Sequence, residues 1–228
     1  MIPPPTAKPL EVKWHQISGV APASTTLLVL LPGRHSRRED FEENGILSAL
    51  RPNDRFDAVT TDLHLGYYKD RNLDVKLREA VFEPARRKGY RRIELVGISL
   101  GGLGALIYDS KFPGEVDRIV LLSPYTGEKP ILDEIRNAGG LVKWEPGTVA
   151  EGGRNQDRRI WSMWKSSPPS SSRIVLAVGA SDKFREANSF FAREFLGGRM
   201  TVVEGGHDWP TWCEMFRRTY AQPSASAR

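Results

Sequence analysis

The sequence predicts an α/β fold, a mostly parallel central sheet with helices on both faces, and three observations carry that expectation. Short apolar runs rich in leucine and β-branched residues recur near 27–31, 57–61, 93–98, 118–123, 173–179 and 200–204. Most are continuously apolar rather than alternating, as expected of strands covered on both faces. The intervals between several of them carry apolar residues at helical spacing. With 228 residues the chain is long enough for one sizeable core and short for two. Residues 1–228 are therefore expected to form a single domain.

Each element has its own signal. VKWHQIS at 12–18 reads as an edge strand, and it is the only strand expected ahead of 27–31. Leu73, Leu77 and Val81 recur every four residues and predict a helix closed by Gly89, with Pro84 imposing a kink or an early stop. A second helix begins just after Ser99, in SLGGLGALIY, and leaves at Pro113–Gly114. A third carries Phe184, Ala187, Phe191 and Phe195 and closes at Gly197. The stretch from Tyr125 to Ser172 differs in character, with a glycine-rich turn region and SSPPSSS, and reads as an excursion from the sheet, a small lid at 126–172. Its Trp144, Trp161, Met163 and Trp164 have two readings: they line a substrate pocket, or they bury the underside of the excursion. A short excursion also favours short acyl chains over long ones.

Composition excludes several function classes. No apolar run reaches the roughly 18–20 residues of a membrane-spanning helix, so no membrane span is expected. The start, MIPPPTAKPLEVKW, lacks the apolar segment and cleavage site of a secretory signal, and the single Cys213 rules out an internal disulfide. Both fit a cytoplasmic setting. Cys213 itself sits among apolar helix residues and reads as core. The net charge of +5 peaks in ARRKGYRR at 85–92. That cluster is a helix end whose cations offset the helix dipole, or else a phosphate-facing patch; with no recognisable reading module, no nucleic-acid partner is expected.

The most informative stretch is RRIELVGISLGGLGALIY, where an apolar strand runs through Gly97, Ile98, Ser99, Leu100 and Gly101 into a helix. A serine on so sharp a turn needs small residues two positions to either side, and its hydroxyl stands exposed at a helix N-terminus. This GxSxG resembles the nucleophile elbow of the α/β-hydrolase family, over roughly residues 25–220, and GGHDWPTW resembles the histidine loop of its small esterases. The resemblance implies a compact α/β-hydrolase fold, with the N-terminal hairpin shortened, and a serine hydrolase cleaving carboxylic esters or related acyl bonds of a small-molecule substrate. No metal or organic cofactor is implied. The family orders its residues nucleophile, acid, histidine, with the acid after a late strand and the histidine after the last. Asp182 and His207 fall at those places. Resemblance also implies an oxyanion hole from the backbone N–H of Leu100 and of Arg34, although the loop reads PGRH where the family often has HGGG.

The chemistry stands beside the resemblance. A serine is a poor nucleophile until a base takes its proton, and His207 is the one histidine that follows a terminal strand. Asp182 would fix its tautomer. Singly, Ser99 can be a turn residue, Asp182 a helix cap and His207 a partner of a loop carbonyl; their order and their three strand-end positions argue jointly for chemistry. Asp208 is a competing acid. Asp62, His64, Tyr67 and Tyr68 either border the pocket or pack, His35 lies near the oxyanion loop, and His15 has no comparable position. The rival reading is a non-catalytic α/β-hydrolase scaffold that binds a ligand or partner, because fold alone does not establish activity.

Overall fold

A computed structural model of the chain describes residues 6, 9–147 and 156–220. Its elements run β1 (Val12–His15), β2 (Thr26–Leu31), α1 (Asp40–Glu43), β3 (Phe56–Thr61), α2 (Leu65–Lys69) and α3 (Leu73–Leu77). They continue with α4 (Glu83–Lys88), β4 (Arg92–Ile98), α5 (Leu100–Lys111), β5 (Arg118–Leu122), α6 (Lys129–Asn137) and α7 (Gln156–Ser166). The last four are β6 (Ile174–Gly179), α8 (Arg185–Phe195), β7 (Thr201–Val203) and α9 (Trp209–Tyr220).

The seven strands form one sheet in the order β1-β3-β2-β4-β5-β6-β7, with β1 antiparallel to β3 and the rest parallel. β2 shows why its run is apolar throughout: Leu27, Val29 and Leu31 enter one core, Leu28 and Leu30 the other, and all five are fully buried. The first core lies against α3, α4, α5, α7 and α8, and the second against α9 and the segment around Phe41 and Ile46. Strand order reverses at β2: β3 lies on one side of it and β4 on the other. In an open α/β sheet that reversal leaves a crevice beyond the carboxyl ends of the two flanking strands. Ser99 follows β4 and Arg34 follows β2, so both stand at that crevice.

Pro84 takes neither a simple kink nor a stop. α3 passes into a wide π turn over Arg78–Phe82, in which Glu83 N–H donates to Arg78 C=O, and α4 resumes with Pro84 in its first turn, where its missing N–H costs nothing. Gly89 then closes α4 with φ 95°. The basic cluster serves this helix end: the Arg86 guanidinium donates to the carbonyls of Tyr90, Arg91 and Glu115, and Lys88 lies over the Trp14 ring.

The excursion resolves the two readings of its tryptophans. Trp144, Trp161 and Trp164 are fully buried, and Trp161 and Trp164 pack against Phe190, Phe191 and Phe195 of α8. Trp161 and Trp164 fasten α7 to α8, Trp144 donates through Nε1 to Glu134 of α6, and Met163 is partly buried against the same core, so these side chains bury the underside of the excursion, while residues 148–155 of the expected lid lie outside the described residues. No described helix is long and apolar enough to cross a membrane.

Candidate active site

Ser99 sits between β4 and α5 at φ 52° and ψ −113°, a left-handed strain that non-glycine residues rarely accept. The glycines around it explain how the turn closes. A Cβ on Gly97 would stand 2.4 Å from Gly101 O, and one on Gly101 would stand 2.1 Å from Leu31 O. The backbone is held as well: Ser99 N–H donates to Leu122 C=O, and Ser99 C=O accepts from the N–H of Gly102 and of Tyr125. Tyr68, which the sequence left between pocket and packing, braces the elbow from behind. Its hydroxyl donates to Leu100 C=O, and Gly104 gives the phenol room, because a Cβ there would lie 2.5 Å from the Tyr68 oxygen.

Asp182 and His207 reach the serine from the loops after β6 and β7, beyond the intervening β5. The loops after β6 and β7 interlock: Ala180 N–H donates to Val203 C=O, Ser181 N–H to Gly205 C=O, and Gly179 has no room for a side chain against Gly205 O at 2.6 Å. His207 Nε2 lies 2.9 Å from Ser99 Oγ, and His207 Nδ1 lies 2.9 Å from Asp182 Oδ2. A carboxylate can only accept, so Nδ1 carries a proton, and in the neutral imidazole Nε2 faces the serine hydroxyl as an acceptor. The Asp182 side chain is fully buried and that of His207 is 14% exposed. Burial pushes the Asp182 carboxyl up, but hydrogen bonds from His207 and from Phe184 N–H outweigh it, holding the group below the usual aspartate range. Asp182 thus also caps the turn into α8 through its second oxygen, Oδ1 to Phe184 N at 2.8 Å.

Asp208, one residue beyond the histidine, does something else. Its Oδ1 accepts from Thr211 N–H and Thr211 Oγ and caps α9, and the residue is exposed. Asp62 is engaged by Arg38 through its backbone N–H and its guanidinium. His64 caps α2 by accepting from Gly66 N–H, Tyr67 is buried against it, and His15 bonds Thr60. None of these joins the Ser99 chain of contacts. Cys213 is buried in α9, as expected.

The loop after β2, from which an oxyanion donor is expected, comes alongside through register. Leu31 pairs with Gly97 across β2 and β4, so Gly33 and Arg34 continue beside Ser99 and Leu100. A Cβ on Gly33 would lie 3.6 Å from Ser99 Cβ. Arg34 and His35 are exposed at this edge.

A family model described as "Putative esterase" matches residues 75–222. The chain belongs to this esterase family. It is an ester-cleaving hydrolase. Solved structures with the same α/β-hydrolase fold include Est1E from Butyrivibrio proteoclasticus, 14% identical, covering 92% of each chain with a TM-score of 0.61. FphF, a fluorophosphonate-binding serine hydrolase of Staphylococcus aureus, is 13% identical over 94% of this chain and 98% of its own, with a TM-score of 0.60. The S-formylglutathione hydrolase FrmB of Staphylococcus aureus is 12% identical over 89% of this chain and 81% of its own, with a TM-score of 0.58. A search of curated proteins finds no match.

This esterase has site walls that sequence reasoning missed. Phe184 and Trp212 meet the His207 ring edge to face, each with centroids at 5.0 Å, and Tyr125 packs on Phe184 while donating to Asp157. Trp212 had a signal, since it stands in the GGHDWPTW phrase beside the histidine. Tyr125 had none, and Phe184, expected on the apolar face of the helix with Ala187, Phe191 and Phe195, instead stands just ahead of α8; only the meeting of the loops after β5 and β6 brings the two rings together.

Proposed function

We propose that Ser99, His207 and Asp182 are the nucleophile, proton shuttle and orienting acid of an acyl-enzyme mechanism. The unbroken chain Ser99 Oγ to His207 Nε2 to His207 Nδ1 to Asp182 Oδ2, with 2.9 Å at both hydrogen bonds, supports this reading most directly. Ser99 Oγ attacks the ester carbonyl carbon as its proton passes to Nε2. The resulting oxyanion is held by the N–H groups of Leu100 and Arg34, and Asp182 stabilises the imidazolium. Collapse breaks the bond to the alkoxy oxygen, which takes the proton from Nε2 and leaves as the alcohol. Water then repeats the sequence on the acyl-serine and releases the carboxylic acid.

The whole chain acts in this reading as one α/β-hydrolase domain on a small-molecule ester, in a cytoplasmic setting and without a nucleic-acid partner; the engagement of Arg86 with three carbonyls supports the last point. Replacing Ser99 by Ala removes the nucleophile, and turnover of a p-nitrophenyl ester is expected to fall by about 10⁴ to 10⁶. Near-unchanged turnover by the folded variant, freed of contaminating esterase, rejects the assignment.

A further inference from the structure

Among the described residues, four that are not glycine have positive φ: Arg55 and Arg71 in exposed turns, and the buried Ser99 and Ser123. Ser123 has φ 48° and is fully buried. It follows β5, the strand between the one that ends at Ser99 and the one that leads to Asp182. Glycine adopts this backbone conformation freely, and serine only at a cost. The hydroxyl adds a second cost that alanine would avoid, because it is shielded from solvent and lacks a well-formed hydrogen bond. A strained residue with a buried hydroxyl, beside the candidate active site, points to a role there.

The backbone around Ser123 is tied to both neighbouring strands. Leu122 C=O accepts from Ser99 N–H, Ser123 N–H donates to Ala177 C=O, and Tyr125 N–H donates to Ser99 C=O. Leu122 pairs with Ala177 across β5 and β6, so Ser123 comes level with Val178, one residue before Gly179, whose C=O accepts from Asp182 N–H. The Asn188 amide closes the arrangement: it donates to the carbonyls of Pro124 and Phe184, while Phe184 N–H donates to Asp182 Oδ1. Ser123 thus stands against the acid, and its hydroxyl is one of the groups that hold the Asp182 carboxyl below the usual aspartate range. Each oxygen of Asp182 accepts one hydrogen bond, from His207 and from Phe184, which leaves lone pairs for a third donor.

We propose that Ser123 is a positioning residue for the reaction at Ser99: its hydroxyl donates to the Asp182 carboxylate and keeps it ionised and aimed at His207 Nδ1 while the imidazole carries a second proton. This rests on the assignment of Ser99, His207 and Asp182. Hydrogen bonds that are long or bent in a free enzyme often tighten as the transition state forms, which suits a hydroxyl that the resting site leaves without a full bond. Once Nε2 takes the proton of Ser99, carboxylate and imidazolium face each other. A donor on the carboxylate lowers its basicity, so the Nδ1 proton stays on the ring and the acid stabilises the cation without being protonated itself. Ser123 acts only through Asp182.

Steady-state kinetics of Ser123→Ala and Ser123→Gly in the full chain, on a p-nitrophenyl ester, test the proposal. Both variants lose the hydroxyl, and Gly also relieves the backbone. Each should lower kcat about tenfold and leave KM within about twofold of the parent. A parent-like kcat in folded Ser123→Gly overturns the proposal, whatever Ser123→Ala does, because the residue is then needed for its backbone or not at all. A cycle with Asp182→Asn separates positioning from packing. In that background no ionised carboxylate is left to hold, and adding Ser123→Ala should change kcat by less than about twofold. A second tenfold loss there would mark a structural role independent of the acid and overturns the proposal as well. Ser99→Ala, run alongside, tells two failures apart. Parent-like turnover in that variant removes the catalytic assignment and this proposal with it, whereas near-complete loss there, beside unchanged Ser123 variants, removes this proposal alone.

Discussion

The elbow at residues 97–104 and the excursion carrying α6 and α7 both carry residues that the sequence singles out for the site, and they came out differently. At the elbow, contact distances are set by backbone: Gly97 touches Gly101, Gly101 touches Leu31 O, and Gly104 admits Tyr68. Such constraints are local, so the spacing of four glycines and one serine already implies the turn. In the excursion, Trp161 and Trp164 face α8, whose phenylalanines lie some 30 residues further along the chain. An indole is as useful against a ligand as against a phenylalanine ring, and only the docking of α7 on α8 decides which it meets. Steric necessity is legible at short range. The partner that a buried aromatic ring will meet is not.

Four variants break or sharpen this contrast. The largest effect is expected where geometry and chemistry meet: Asp182→Asn should lower kcat/KM by about 10³ to 10⁴, because the histidine loses the partner that fixes its tautomer. Asp208→Asn should stay within a few-fold, since Asn also caps a helix. The reverse ranking in equally stable proteins moves the acid to Asp208. Gly101→Ala should destabilise the protein by more than about 4 kcal/mol or prevent folding, as its new methyl cannot share space with Leu31 O. A normal melting temperature for that variant would show the elbow to be looser than its contacts imply.

Trp164→Ala addresses the other half of the contrast. Emptying a fully buried indole should cost about 3–5 kcal/mol in urea unfolding while leaving the ratio of activities across p-nitrophenyl esters of two to sixteen carbons unchanged. In the parent, that series should favour the short esters. A shifted chain-length optimum in a folded Trp164 variant would return the tryptophan to the pocket.

The smallest effect concerns acid. The Asp182 carboxyl is held below its usual range in the folded protein, so its ionised form contributes stability above about pH 4, and this is lost as pH falls through the depressed value. The stability gap between the parent and Asp182→Asn should therefore be wider at pH 6 than at pH 3. A gap that is constant or grows toward acid would mean that the carboxylate is not stabilised by its neighbours.

Much of the fold was legible. All seven strands lie within two or three residues of their expected ranges, chiefly because the inner strands, buried on both faces, leave a continuous apolar signature that the partly exposed β1 and β7 do not share. Ser99, Asp182 and His207 were reachable because each follows a strand directly. The separate contacts of Asp182 and Asp208 were less so: each accepts from a backbone N–H two or three residues on, near the start of a helix, and only the interlocked loops after β6 and β7 turn the free oxygen of Asp182 toward the imidazole. The π turn ahead of Pro84 left no sequence signal beyond the proline. Tyr125 and Phe184 lie too far apart in the chain for any periodicity to pair them.

In the proposed mechanism the strained turn at Ser99 presents an activated nucleophile, which covalent labelling reads out. Intact protein treated with a fluorophosphonate, digested and mapped by mass spectrometry should carry one adduct, on the peptide containing Ser99, and Ser99→Ala should carry none. A folded protein that stays unlabelled, or one labelled at another serine while Ser99 stays free, would contradict the account.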